Sequence, residues 1–130
     1  MMVKRDLPRP TDAELAILRV LWERGPSTVR DVTDALQKER GTGYTTALKL
    51  MQIMTEKGLV QRDDSQRTHV YQAMARPEDT QKQLVKDLLE RAFGGSAQQL
   101  VLQALSSKKA SRAELAEIRG LIEEMEKKAK

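Results

Sequence analysis

Glycine and proline cut the first sixty residues into three short pieces, and nothing constrains the fold more. Thr11-Asp12-Ala13-Glu14 has the spacing of a capping box, with Thr11 as N-cap and Glu14 three residues on. Leu15, Leu18, Leu21 and Trp22 follow as one apolar face, and Gly25-Pro26 ends the run. Ser27 is placed to cap a second helix, with Val29, Val32, Ala35 and Leu36 inward. It fades at Lys38-Glu39-Arg40 before Gly41 and Gly43. A third piece, "GYTTALKLMQIMTEKG", runs to Gly58. At 100° per residue, Ala47, Leu50, Met51 and Met54 share one stripe, while Thr45, Lys49, Gln52 and Glu56 lie opposite.

After Gly58 the pattern changes. Leu59 to Arg62 and Thr68 to Met74 suit strands, and Asp63-Asp64-Ser65-Gln66 between them is turn chemistry. Three short helices and a hairpin are the plan of a winged helix-turn-helix domain, expected over residues 1–76. Residues 77–130 read as helix nearly throughout, expected to form a separate helical dimerisation domain. Leu84, Val85, Leu88, Leu89 and Ala92 make one stripe, and Gly94-Gly95 interrupts it. Ser96 then caps a segment carrying Leu100, Val101, Ala104 and Leu105. Ser111-Arg112-Ala113-Glu114 opens a last segment with Leu115, Ile118, Ile122 and Met125. The fold class is therefore mainly α, with one two-stranded wing.

Composition narrows the function classes. There is no cysteine and one histidine, which removes thiolate metal sites and thiol nucleophiles. His69 has no local partner motif, and GTGYTT lacks the Lys-Ser/Thr ending of a phosphate loop. The expectation is a chain that is no enzyme and takes no metal or cofactor. The start, MMVKRDLPRP, has no apolar run after its charges, and no stretch approaches the ~20 apolar residues of a membrane span. A cytoplasmic protein is expected. Net charge is +4; residues 1–76 carry 13 Lys/Arg against 10 Asp/Glu. That balance is compatible with nucleic acid but mild.

The outward face of the third helix bears on the partner. Thr45, Thr46, Lys49 and Gln52 are short donors and acceptors plus a cation, the set that a helix in the major groove needs. Any solvent-facing helix is also polar, so the face alone supports both interpretations equally. Arg62, Arg67 and His69 on the wing suit phosphate contact, against the alternative of solvated charges near Asp63-Asp64. Tyr44 suits a phosphate bond or packing at the helix start. Lys4, Arg5 and Arg9 form a basic arm that either reaches DNA or remains unbound. The C-terminal stripes exceed what three short helices bury alone, so a second copy is the expected cover, with folding back onto the first domain as the alternative. A module that binds protein rather than DNA is the competing function.

Four stretches carry a resemblance: "PTDAELAILRVLWERGPSTVRDVTDAL", "GYTTALKLMQIMTEKGLVQR", "HVYQAM" and "FGGSAQQLVLQAL". On these the chain resembles the penicillinase-repressor family, the BlaI/MecI-type winged-helix regulators. The resemblance implies a homodimer joined through the C-terminal helices, whose apolar stripes offer Leu84, Leu88, Leu100, Val101, Leu105, Leu115, Ile118 and Ile122 as the pairing residues. It implies binding to palindromic double-stranded operator DNA, through a recognition helix in which Thr45, Thr46 and Lys49 face the DNA. It also implies repression of β-lactamase or related cell-wall genes, relieved through a membrane sensor-protease pathway that cleaves the repressor. Gln103-Ala104 stands where the family's cleaved dipeptide is Asn-Phe. The family's copper-sensing branch uses cysteines that this chain lacks.

Overall fold

The computed structural model describes residues 8–129. Three helices come first: α1 (Asp12–Arg24), α2 (Val29–Arg40) and α3 (Tyr44–Lys57). A hairpin follows, β1 (Val60–Asp63) and β2 (Val70–Ala73), and then α4 (Pro77–Ala92), α5 (Ala97–Ser107) and α6 (Arg112–Lys128). The contacts divide the chain into two compact units, 1–85 and 86–130, so the division falls inside α4.

The capping boxes work as drawn. Thr11 Oγ1 accepts from Glu14 N at 3.2 Å while Thr11 N donates to Glu14 Oε1 at 2.9 Å. α2 repeats the arrangement, but its cap is Thr28 with Asp31, not Ser27. Ser27 is instead buried, and its backbone pairs with the wing: Ser27 N donates to Tyr71 O at 2.9 Å, and Tyr71 N to Ser27 O at 2.8 Å. The turn between α1 and α2 thus adds a third short line to the β1–β2 hairpin. That long-range pairing outcompetes the local cap. Gly58 closes α3 in the left-handed region at φ 82°, where a side chain would be strained.

The core of the first unit is where these elements meet. Ile17, Leu18, Val32, Ala47, Met51 and Met54 are entirely buried, with Leu59, Val60 and Tyr71 beside them. Leu50, expected in the same stripe, packs only partly against this core. β1 has the expected length but starts one residue later, and β2 is shorter than the expected run from Thr68 to Met74; they pair Val60 with Ala73 through Asp63 with Val70. Trp22 uses its indole N–H to reach Ala75 O at 2.9 Å, gripping the chain just before α4.

Among the described residues of this unit, one charged side chain is buried. Glu14 has a side-chain exposure of 3%, and Lys57 Nζ meets its Oε1 at 2.7 Å. Burial works to raise the carboxyl's pKa. Hydrogen bonds from Lys57 and Thr11, with the Lys57 charge, outweigh it and hold the group below its ordinary 4.5. Lys57→Met should therefore destabilise the fold by about 1–3 kcal/mol at neutral pH in urea unfolding, since it strands a buried carboxylate. The ionised Glu14 favours folding above its ordinary 4.5, and that contribution is lost as pH falls through the lower folded value. The acid-side loss of stability should accordingly shrink in Lys57→Met, which a comparison of unfolding at neutral and acid pH will read.

Within 86–130 the helices bury nothing fully. Ser96 Oγ accepts from Gln99 N and Ser111 Oγ from Glu114 N, so both expected caps form. No residue of α5 or α6 is buried. Leu100, Leu105 and Ile118 are half-buried, while Val101, Leu115 and Ile122 stand open, as do Leu102, Leu121 and Met125. On α4, Leu84 is half-buried and Leu88 exposed. Gln103 and Ala104 are both exposed on the helical backbone of α5. None of the described helices is long and apolar enough to cross a membrane.

Candidate nucleic-acid interface

α3 is divided lengthwise. Ala47, Met51 and Met54 are at zero exposure, and Thr45, Thr46, Lys49 and Gln52 are all exposed. Ala47 has the smallest side chain of the buried stripe, and its full burial beside α2 and α1 leaves the polar face pointing outward. Lys49 forms no ion pair within the described residues, so its ammonium is available to a base edge or a phosphate. Gly43 gives α3 no side-chain cap, which leaves the amide groups of its first turn to solvent. Glu56 is exposed on the same side one turn further on.

Tyr44 settles between its two expected roles. Its ring is 43% exposed, and the guanidinium of Arg30 on α2 stacks over it at 5.1 Å from the centroid. This is a cation–π contact that holds a cation beside the start of α3. Sequence reading passed over Arg30 because it lies in a different helix, fourteen positions away in chain order. The one usable signal was its place on the outer side of α2. A groove of about 280 Å³ opens here, lined by Thr28, Arg30, Tyr44, Leu48, Arg67 and His69. The two wing residues Arg67 and His69 thus join the two helices around one concavity. Neither Arg30 nor Arg67 pairs with a carboxylate within the described residues.

Arg62 is placed differently. It lies on the wing, but its Nε is 2.7 Å from Asp64 Oδ1 and its Nη2 is 3.2 Å from Asp64 Oδ2. The Asp64 carboxylate first, and the Tyr71 hydroxyl second, raise the Arg62 pKa above its already high ordinary value. His69 Nε2 approaches the same Asp64 at 3.6 Å. Arg62 and Arg67 are therefore unequal cations, one already partnered and one not. Lys4 and Arg5 of the basic arm lie outside the described residues, and Arg9 is exposed.

The stack makes a prediction about stability. Arg30→Gln and Tyr44→Leu should show a coupling of about 0.5–1 kcal/mol in a double-mutant cycle of urea unfolding, the worth of an exposed cation–π pair. Additive effects would mean that the ring and the guanidinium act separately.

Among the described residues no group of three or more His, Asp or Glu is arranged to hold an ion. Similarity to known proteins agrees with the architecture. A transcriptional regulator BlaI from Mycobacterium tuberculosis is 33% identical over 97 residues, covering 74% of this chain and 70% of the relative. A penicillinase repressor from Staphylococcus aureus is 21% identical over 116 residues, 89% of this chain and 92% of that one. In three dimensions the chain is similar to the Bacillus licheniformis BlaI monomer, solved in complex with the blaP half-operator. The TM-score is 0.50 at 23% identity, over 56% of this chain and 89% of that one. That likeness establishes the winged-helix fold. The sequence model of the penicillinase repressor matches residues 10–124, and with that span the chain belongs to the penicillinase repressor family.

Proposed function

We propose that this chain is a cytoplasmic transcriptional repressor that binds operator DNA as a homodimer and controls β-lactamase or related genes. The observation that carries the reading is the divided third helix. Three apolar residues of α3 are wholly buried while Thr45, Thr46, Lys49 and Gln52 remain uncovered. A major groove about 12 Å wide admits such a helix. Lys49 suits a guanine edge or a phosphate, Gln52 an adenine edge, and the Thr methyls a thymine methyl. Arg30, Arg67 and Tyr44 flank the helix start, where they serve as phosphate ligands that set register. The relative bound to the blaP half-operator shares this fold and supports the assignment.

The second unit supplies the pairing surface in this reading, with residues 77–130 as the dimerisation region. Ile122 and Leu121 are at least half exposed, as an apolar stripe awaiting a second copy would be. A two-fold dimer sets two recognition helices about 34–36 Å apart, one turn of DNA. Gln103-Ala104 is the matching position for regulated cleavage through a membrane sensor-protease pathway; both residues are exposed but helical, so cutting there requires that turn of α5 to unwind. Cleavage there would cut through the proposed pairing surface. The chain has no role for a catalytic group in this account.

Fluorescence anisotropy on a duplex selected from a random library tests the DNA reading. Lys49→Ala should cost about 1–3 kcal/mol, and relaxed discrimination at one base position would mark a base contact rather than a phosphate contact. Affinity should fall about 10³–10⁵-fold between 50 and 200 mM salt for a dimer making 6–10 phosphate contacts. A flat salt response, or wild-type binding by Lys49→Ala and Thr46→Ala together, overturns the helix assignment. For the dimer, Ile122→Asp is expected to sediment as a folded monomer, because the side chain it replaces is not part of any core. An unchanged dimer would remove α6 from the interface.

A further inference from the structure

The two carboxylates of the wing do different work. Asp63 Oδ1 accepts from Ser65 N at 2.9 Å, so it shapes the turn after β1. Asp64 is bonded instead to side chains. Its two oxygens meet Nε and Nη2 of Arg62 at 2.7 and 3.2 Å, and His69 Nε2 stands 3.6 Å from one of them. This is the two-point geometry in which a guanidinium also grips the oxygens of a phosphodiester. Both partners are exposed, Arg62 at 38% and Asp64 at 52%, so water screens the pair and it opens at little cost. Arg62 also meets the hydroxyl of the buried Tyr71. Between Val60 and Ala73 the two aspartates also match the two arginines in number, which leaves the wing without net charge apart from His69.

The geometry points to Asp64 as an internal substitute for a DNA phosphate, one that occupies Arg62 in the free protein and sets the affinity of the wing for any duplex. The inference rests on the DNA-binding reading above. A strand approaching the wing must displace Asp64 from Arg62 and tolerate its charge nearby. Both penalties are independent of base sequence. They lower non-specific binding, which is almost wholly electrostatic. Operator binding bears the same penalty but adds the base contacts of α3. Asp64 therefore keeps the protein from being held on bulk DNA, while Arg67 and Arg30, without carboxylate partners among the described residues, stay available.

The test uses the full chain and a random-sequence duplex of about 30 base pairs. Asp64→Asn is expected to bind about threefold to tenfold more tightly than wild type at low salt. Its log-affinity against log-salt slope should stay close to that of wild type, since Arg62 reaches a phosphate in both proteins. The gain should vanish in an Arg62→Gln background, because the freed guanidinium is its source. Asp64→Ser provides the same readout should the amide disturb the turn. Wild-type affinity in both Asp64 variants overturns the inference. So does a gain that persists in full with Arg62→Gln, which would mean simple loss of a repulsive charge. Absence of duplex binding by wild type and every variant instead defeats the DNA reading itself, and this inference with it.

Discussion

A carboxylate taken almost wholly out of water must find a cation, and Glu14 finds Lys57, forty-three positions later in the chain. The pair joins the first turn of α1 to the last turn of α3. The same carboxylate closes the capping box on Thr11, so one group terminates α1 and positions α3. α3 thereby has both a buried stripe and a fixed far end. Its outer face owes its availability to that arrangement. A helix free to roll on its apolar stripe would present different side chains from one moment to the next.

The wing is held with equal economy. Two backbone hydrogen bonds between Ser27 and Tyr71 fasten β2 to the turn that separates α1 from α2, and Tyr71 fills the space beneath. The cations that flank α3 thus come from three elements tied to one frame: Arg30 from α2, Lys49 from α3 and Arg67 from the wing segment. Their positions are set by apolar packing and backbone pairing, which hold them together against their mutual repulsion. This is the ordinary way a fold pre-arranges like charges for an anionic partner.

Much of this was legible before any coordinates. Periodicity and punctuation located all three helices, the hairpin and the exposed side of α3, because those features depend on residues near one another in the chain. The failures share one cause. Ser27 has a hydroxyl at a plausible cap position, yet the neighbouring Thr28 caps α2, since Ser27 is committed to a strand more than forty residues away. Arg30 drew no expectation from the sequence, and folding sets its guanidinium over Tyr44. Arg62 suited either phosphate contact or a solvated charge, and Asp64 two positions on binds it in the free chain. Spacing along a chain reports local geometry well, but it is blind to partners supplied by a turn of uncertain shape or by another element.

Trp22 is the chain's only tryptophan, and its indole N–H is bonded to the carbonyl of Ala75 at the exit from the wing. The protein therefore carries a built-in optical reporter at the seam between the hairpin and α4. Loosening of that seam would expose the ring to water and redden its emission, even while helical circular dichroism stayed level. Intrinsic fluorescence and circular dichroism then track separate events in the same molecule, the opening of a junction and the melting of its helices.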